Sequence, residues 1–221
     1  MGSKFCNLNV YGAEPAAVQA YCPGCAVQAF ASGWTTAAGE CLTWETLPKT
    51  ARRISKALSV PVLSTSYFDD DYVEFVLYRD GKRAARHIPA SYEGYPRRAG
   101  KTGDWAEALG LSPEQENTLK TIFKETSPET SLHLLECVLG CPLWADAETI
   151  ADAAGKTIKT DNTFLETYLV RKNAERKIKN QTKLTLLDEK SSDSYWDLAN
   201  LIITQPYDEQ TGQYSVALWE I

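Results

Sequence analysis

From Phe5 to Tyr11 (FCNLNVY) apolar and polar residues alternate with period two, which predicts a half-buried strand that Gly12 ends. Glu14 and Pro15 then open a short helix over residues 16–21: proline is tolerated in a first helical turn, and glutamate faces the positive end of the helix dipole. Pro23 and Gly24 stop it. Residues 26–31 read as a second strand, with helix as the competing assignment because of three alanines. Leu47, Ala51, Ile54 and Leu58 recur at helical spacing, so 47–58 is an amphipathic helix. Three strands follow over 60–68, 72–78 and 82–88. Asp80-Gly81 between the last two is the strongest short hairpin signal a sequence offers.

Residues 91–104 (SYEGYPRRAGKTGD) have the glycine, proline and charge density of a linker or ordered loop. They set the expected boundary between an α+β sheet-and-helix domain over 1–99 and a second part over 100–221, a helical segment followed by a helix and C-terminal β-strands. Ser112-Pro113-Glu114-Gln115 is a capping sequence, and Ser127-Pro128-Glu129 repeats the device. Residues 148–154 predict one or two helical turns, and 163–178 a longer helix. Stretches 182–188, 198–204 and 214–221 read as strands, with a hairpin loop over 205–212. The fold class expected is α+β: an N-terminal mixed or antiparallel sheet with helices on one face, a helical middle and C-terminal strands.

A 43% apolar and 24% charged composition over 221 residues is that of a globular protein with a folded core. The net charge of −6 argues against a nucleic-acid binder, which needs a broad basic face. No secretory leader or membrane span is evident, so a cytoplasmic protein without membrane attachment is expected. A run of 171–183 (RKNAERKIKNQTK) is the exception in charge. Arg171, Lys172, Arg176 and Lys177 there are a candidate patch for nucleic acid or an acidic partner, against the plainer expectation of a solvated helix face.

Six cysteines in a chain this long do not suggest a disulfide scaffold, and free, mostly buried thiols are expected. Cys22 and Cys25 (YCPGC) nonetheless have two chemical readings. A redox dithiol needs its first cysteine at a helix N-terminus, where the dipole lowers the thiol pKa. Here the pair follows a predicted helix, which reverses the electrostatics. Zinc needs a second pair, and Cys137 and Cys141, one helical turn apart, are the candidates; no other cofactor is expected. Val60-Pro61 resembles the proline segment of thioredoxin-like proteins, and VEFVLYRDGKRAARHI resembles their closing hairpin. The order Pro-Gly, Tyr21 before Cys22, and the stretch VLSTSYFDDD all depart from that family.

Asp69, Asp70 and Asp71 place three carboxylates between two strands, a turn fit for a hard cation or for solvent. Tyr92, Tyr95, Arg97 and Arg98 combine aromatic rings with arginine on a loop, the composition favoured at protein interfaces. His87 and His133 lie in no nucleophile motif, and no catalytic constellation or phosphate loop is evident. The block VLSTSYFDDDYVEFVLYRDGKRAARH resembles one in bacterial proteins without assigned activity, and is similar in style to toxin-immunity proteins. That resemblance implies an acidic binding protein whose partner is another protein.

Overall fold

In the computed structural model, residues 3–30, 33–153, 162–180, 207–208 and 213–214 are described. Six strands pair antiparallel throughout in the order β2-β3-β1-β4-β5-β6: β1 Lys4–Tyr11, β2 Ala26–Ala29, β3 Trp34–Ala38, β4 Val62–Phe68, β5 Tyr72–Arg79 and β6 Lys82–His87. Helices α1 (Pro15–Gln19) and α2 (Leu47–Leu58) lie in the first part of the chain. The fold is α+β. Strand β3 has no counterpart among the sequence expectations. All five of its residues are buried, so the alternation that marks a half-exposed strand is missing.

One face of the sheet packs on α2. Cys6, Leu8, Val10, Val62, Val76 and Tyr78 join Leu47, Ala51 and Ile54 in a single core, as the helical spacing requires. The far end of α2 is tied to the β5–β6 hairpin, where Ser55 Oγ accepts the Gly81 N–H at 3.0 Å. Asp80 and Gly81 both have positive φ, 51° and 73°, as the predicted two-residue turn demands.

The opposite face is covered by the helical middle: α3 (Thr102–Leu109), α4 (Pro113–Ile122), α5 (Pro128–Leu139) and α6 (Ala147–Asp152). The two helices of the first part, α1 and α2, share the other face, as expected of the N-terminal sheet. The contact with the helical middle is partly polar. Asn7, on the face opposite Leu8, donates from Nδ2 to the carbonyls of Leu143 (2.8 Å) and Ala145 (2.9 Å). Its Oδ1 accepts from Asn9 Nδ2 at 3.1 Å, and Asn9 Oδ1 accepts from Thr36 Oγ1 at 2.6 Å. Trp34 Nε1 donates to the Leu139 carbonyl at 2.9 Å. The caps form as expected: Ser112 and Gln115 make a capping box, and Ser127 Oγ accepts the Thr130 N–H.

Met1–Leu165 gathers into one compact unit and Glu166–Ile221 into another. The loop 91–104, expected as a boundary, thus runs inside the first unit. Helix α7 (Asn162–Asn180) matches the expected long helix, and β7 (Tyr207–Asp208) pairs with β8 (Gln213–Tyr214). The strands expected over 182–188 and 198–204, and most of 214–221, lie outside the described residues.

Candidate functional site: an aromatic and acidic face

At the β4–β5 turn the chain reverses through Asp69 and Asp70, both at positive φ (51° and 61°), a conformation aspartate tolerates better than most residues. Tyr67 OH donates to Asp70 Oδ1 at 2.5 Å, which turns that carboxylate toward the sheet. Asp69 pairs with Lys4 at 3.4 Å, and Asp71 is exposed. Strand alternation sends Phe68 and Tyr72, which pair across this turn, to the same side of the sheet.

Two loops bring further rings to them. Trp44 precedes α2 on a segment tied down by a disulfide between Cys25 and Cys41. That segment is also closed on itself, with Thr46 Oγ1 accepting the Thr43 N–H (2.8 Å) and donating to the Cys41 carbonyl (2.7 Å). The second loop, after β6, is a small hairpin. Ile88 and Arg98 exchange backbone hydrogen bonds at its base, and Tyr92 and Tyr95 exchange them at its tip around Glu93 and Gly94. Trp44 then lies 5.2 Å from Tyr72 and 6.4 Å from Tyr95, between ring centroids. Tyr72 lies 5.4 Å from Tyr95, and Phe68 5.8 Å from Tyr92. These are offset and edge-to-face separations of interacting rings.

Tyr72 is buried, but Trp44 and Tyr95 keep 38% and 49% of their surface exposed, so the cluster opens to solvent through those two rings. Its electrostatics are acidic. Burial and then the charges of Glu93, Asp71 and Asp69 raise the pKa of the Tyr92 phenol. Tyr72 OH donates to Glu74 Oε2 at 3.3 Å, and Arg86 is ion-paired to Oε1 of the same carboxylate. Burial and that carboxylate push the Tyr72 pKa up.

The turn 69–71 and the tyrosines of the 91–98 loop, read separately in the sequence, thus meet on one face. The arginines of that loop do other work. Arg97 Nε donates to the Pro89 carbonyl (2.8 Å) and Nη2 to that of Phe123 (3.2 Å), which binds the hairpin to the end of α4. Arg98 enters through its backbone, at the hairpin base. Trp44, Phe68 and Tyr72 were not among the expected site residues. The signal for Trp44 was a lone tryptophan between polar residues in a loop.

The cysteine expectations need correction. Cys25 is bonded to Cys41 and is neither a free thiol nor a partner for Cys22. The strand ending at Ala38 and the Cys25 segment are close: a side chain at Gly39 would meet Cys25 Cα at 2.9 Å. Cys22 follows α1 rather than opening a helix. Burial holds its pKa at about 11, with Arg53 opposing, so it stays a thiol at neutral pH. Cys141 is fully buried, and burial and Glu136 raise its pKa. Among the described residues no three His, Cys, Asp or Glu side chains are placed to hold a metal, so Cys22, Cys25, Cys137 and Cys141 do not form a zinc site. Nor do Asp69, Asp70 and Asp71 form such a group: Asp69 pairs with Lys4, Asp70 accepts from Tyr67, and Asp71 is exposed.

On α7, Arg171 and Lys172 both bridge to Glu175, at 3.3 and 3.2 Å, which spends part of the basic run internally. Arg176 and Lys177 lie on the same helix, and their side chains are outside the described residues. His87 is buried, stacked on Phe123 at 4.0 Å, and its Nδ1 accepts the Gly100 N–H. His133 Nδ1 lies 2.8 Å from Glu136 Oε2, and its ring stacks on Trp144. No helix among the described residues is long and apolar enough to cross a membrane. No known protein family, curated protein or solved structure matches the chain.

Proposed function

We propose that this chain is a binding protein that docks another protein through the face made by Trp44, Tyr72, Tyr92 and Tyr95 with the Asp69 and Asp71 carboxylates. The observation that carries the reading is the exposure of Trp44 and Tyr95 at the top of an otherwise packed ring cluster. Tyrosine and tryptophan supply large rigid contact area at little entropic cost and dominate the energetics of protein interfaces. The excess of acidic residues suits an immunity-like role, in which an acidic chain of a bacterial cytoplasm covers a basic protein. In that reducing compartment the Cys25–Cys41 pair would be opened at least part of the time, and the intact mass of the alkylated chain from its source cells reports which state prevails.

A photoreactive phenylalanine analogue at Tyr95, expressed in the source cells, tests the docking face. One adduct of discrete mass is expected, lost when Trp44→Ala is added. The same analogue at Lys82, exposed at the start of β6 beside the far end of β5, is expected to give none. Identical adducts at both positions, or none at Tyr95, sink the reading.

A further inference from the structure

We infer that the group seated on this face is a cationic side chain, lysine or arginine, presented by a basic segment of the partner and held between the exposed rings and the Asp69 and Asp71 carboxylates. The inference rests on the docking reading above and adds the chemistry of what docks.

The chain itself already places one cation in such a position. Lys4 Nζ lies 4.1 Å from the centroid of the Phe68 ring and 3.4 Å from Asp69 Oδ2. An ammonium is therefore taken up at the edge of the cluster by one ring face and one carboxylate together, the arrangement in which cation–π attraction and charge pairing reinforce each other. The same two ingredients continue across the face, where among the described residues no cation lies over the Trp44, Tyr92 or Tyr95 ring. Trp44 offers the ring with the strongest cation–π capacity, tilted by 31° against Tyr72 and by 65° against Tyr95, so the exposed rings are splayed rather than stacked flat. Tyr92 stands half-buried between them and the acidic turn, close enough to Asp71, Asp69 and Glu93 for their charge to raise its phenol pKa.

Lys4 is held at the edge by Phe68 and Asp69, so Asp71 is the open carboxylate of the turn, and an incoming cation meets Asp69 only beside Lys4. Arg86 is paired to Glu74, and Arg97 donates to the Pro89 and Phe123 carbonyls. The face thus carries negative charge beside π surface, and three kinds of occupant can be compared. A neutral apolar group would desolvate the carboxylates with no compensation. An anionic group would be repelled by them. A lysine or arginine side chain lays its methylene stem on the rings and brings its charge to the carboxylates, satisfying both. A net charge of −6 steers such a segment toward the chain before contact.

Calorimetry on the full chain tests this with three defined decapeptides, alternating lysine and alanine, arginine and alanine, or glutamate and alanine. The two basic peptides are expected to bind and the acidic one not. Trp44→Ala, and separately Asp69→Asn with Asp71→Asn, are expected to weaken the basic peptides about tenfold or more, while Trp44→Phe weakens them less. Added salt is expected to weaken them too. Circular dichroism confirms that the variants are folded. A lysine peptide that binds no better than the glutamate peptide, or that binds the Asp69→Asn, Asp71→Asn chain unchanged, overturns the inference. The Tyr95 adduct separates the two levels. If it survives the paired asparagine substitutions in the source cells, the docking face stands without the cation. If it never forms, the docking reading falls and the cation with it.

Discussion

Trp44 packs on Tyr72 with ring centroids 5.2 Å apart, although the two residues come from a loop before α2 and from the start of β5. One ring is buried and the other is more than a third exposed. Tyr72 therefore acts as the floor that fixes the position of Trp44, and Trp44 acts as contact surface. Removing the floor disturbs the sheet, whereas removing the upper ring does not. Trp44→Ala is expected to cost no more than about 2 kcal/mol of stability, since the partly exposed ring meets Phe68, Tyr72 and Tyr95 at about 0.5–1.5 kcal/mol each before exposure is discounted, while abolishing partner capture. Urea unfolding of the variant beside wild type checks the first half, and a loss well beyond that bound would make Trp44 a structural residue.

The Cys25–Cys41 bond closes a loop between residues 16 apart, and the segment ending that loop leads directly to Trp44. A loop of this size is worth about 3 kcal/mol through its constraint on the unfolded chain. Reductant, or Cys25→Ala with Cys41→Ala, is expected to lower the unfolding free energy by about that amount, read as a lower urea midpoint, and to weaken partner binding as the Trp44 segment loosens. Cys22→Ala is expected to leave the reductant-sensitive step in place. An unfolding midpoint indifferent to reductant would show that the bond carries no stability.

Arg97 looked, from its place beside two tyrosines, like part of the contact surface. Its guanidinium instead ties Pro89 to Phe123, the residue that caps α4, where carbonyls and the negative end of the helix dipole favour a cation. Arg97→Ala is expected to destabilise the first unit by about 2 kcal/mol, the hydrogen bonds to the Pro89 and Phe123 carbonyls and a longer one to that of Lys124 being lost. Arg97→Lys is expected to recover less than half, because an ammonium lacks the fork that reaches both carbonyls. Thermal melts of the two variants decide it, and equal melting of all three proteins would remove the clamp from the account.

Most of the secondary structure was legible because its signals are local. The Leu47, Ala51, Ile54 spacing, the Asp80-Gly81 turn and the Ser112 capping box each need only a few neighbouring residues. What was not legible depends on contacts between distant segments. Strand β3 is buried on both faces and so shows no alternation. The pairing of Cys25 with Cys41 rather than Cys22 follows from the approach of Gly39, which sequence spacing does not reveal. The two halves of the candidate face, 69–71 and 92–95, each carried a compositional mark. Their junction with Trp44 came from the fold, since it requires the β4–β5 turn, the 88–98 hairpin and the loop before α2 to meet at one end of the sheet.

Asn7 is the polar residue through which the sheet holds the segment after α5. It donates to two carbonyls and accepts from Asn9, all in the interior. Asn7→Ala strands the Leu143 and Ala145 carbonyls and one Asn9 N–H together, and unsatisfied buried groups cost more than the hydrogen bonds themselves contribute. A loss on the order of 3 kcal/mol is expected. Asn7→Asp is expected to fare no better, since a carboxylate there would face two carbonyl oxygens as an anion. A midpoint for Asn7→Ala within the error of wild type would mean that water replaces the amide.

His87 is expected to contribute an acid limb to the stability of the fold. Burial, and then the charge of Arg97, lower its pKa to about 3, and its Nδ1 accepts the Gly100 N–H, so the folded state holds a neutral ring with the proton on Nε2. In the unfolded chain the same ring protonates near pH 6.5. Between those two values the unfolded state binds more protons than the folded one, so stability is full above about pH 6.5 and falls as the pH drops, by up to about 1.4 kcal/mol per pH unit. His133 works in the opposite sense. Its hydrogen bond to Glu136 raises its pKa, so its contribution is present below the unfolded value and fades as pH rises through the folded one. The two together give a stability maximum between them. His87→Phe, which keeps a ring between Phe75 and Phe123, is expected to flatten the acid limb, and His133→Gln the alkaline one. Urea midpoints from pH 4 to 8 measure both limbs, and the ring-proton shift of His87 by NMR gives an independent reading. A His87 that titrates near pH 6 in the folded protein would show that its ring is open to water and would remove the acid limb from its account.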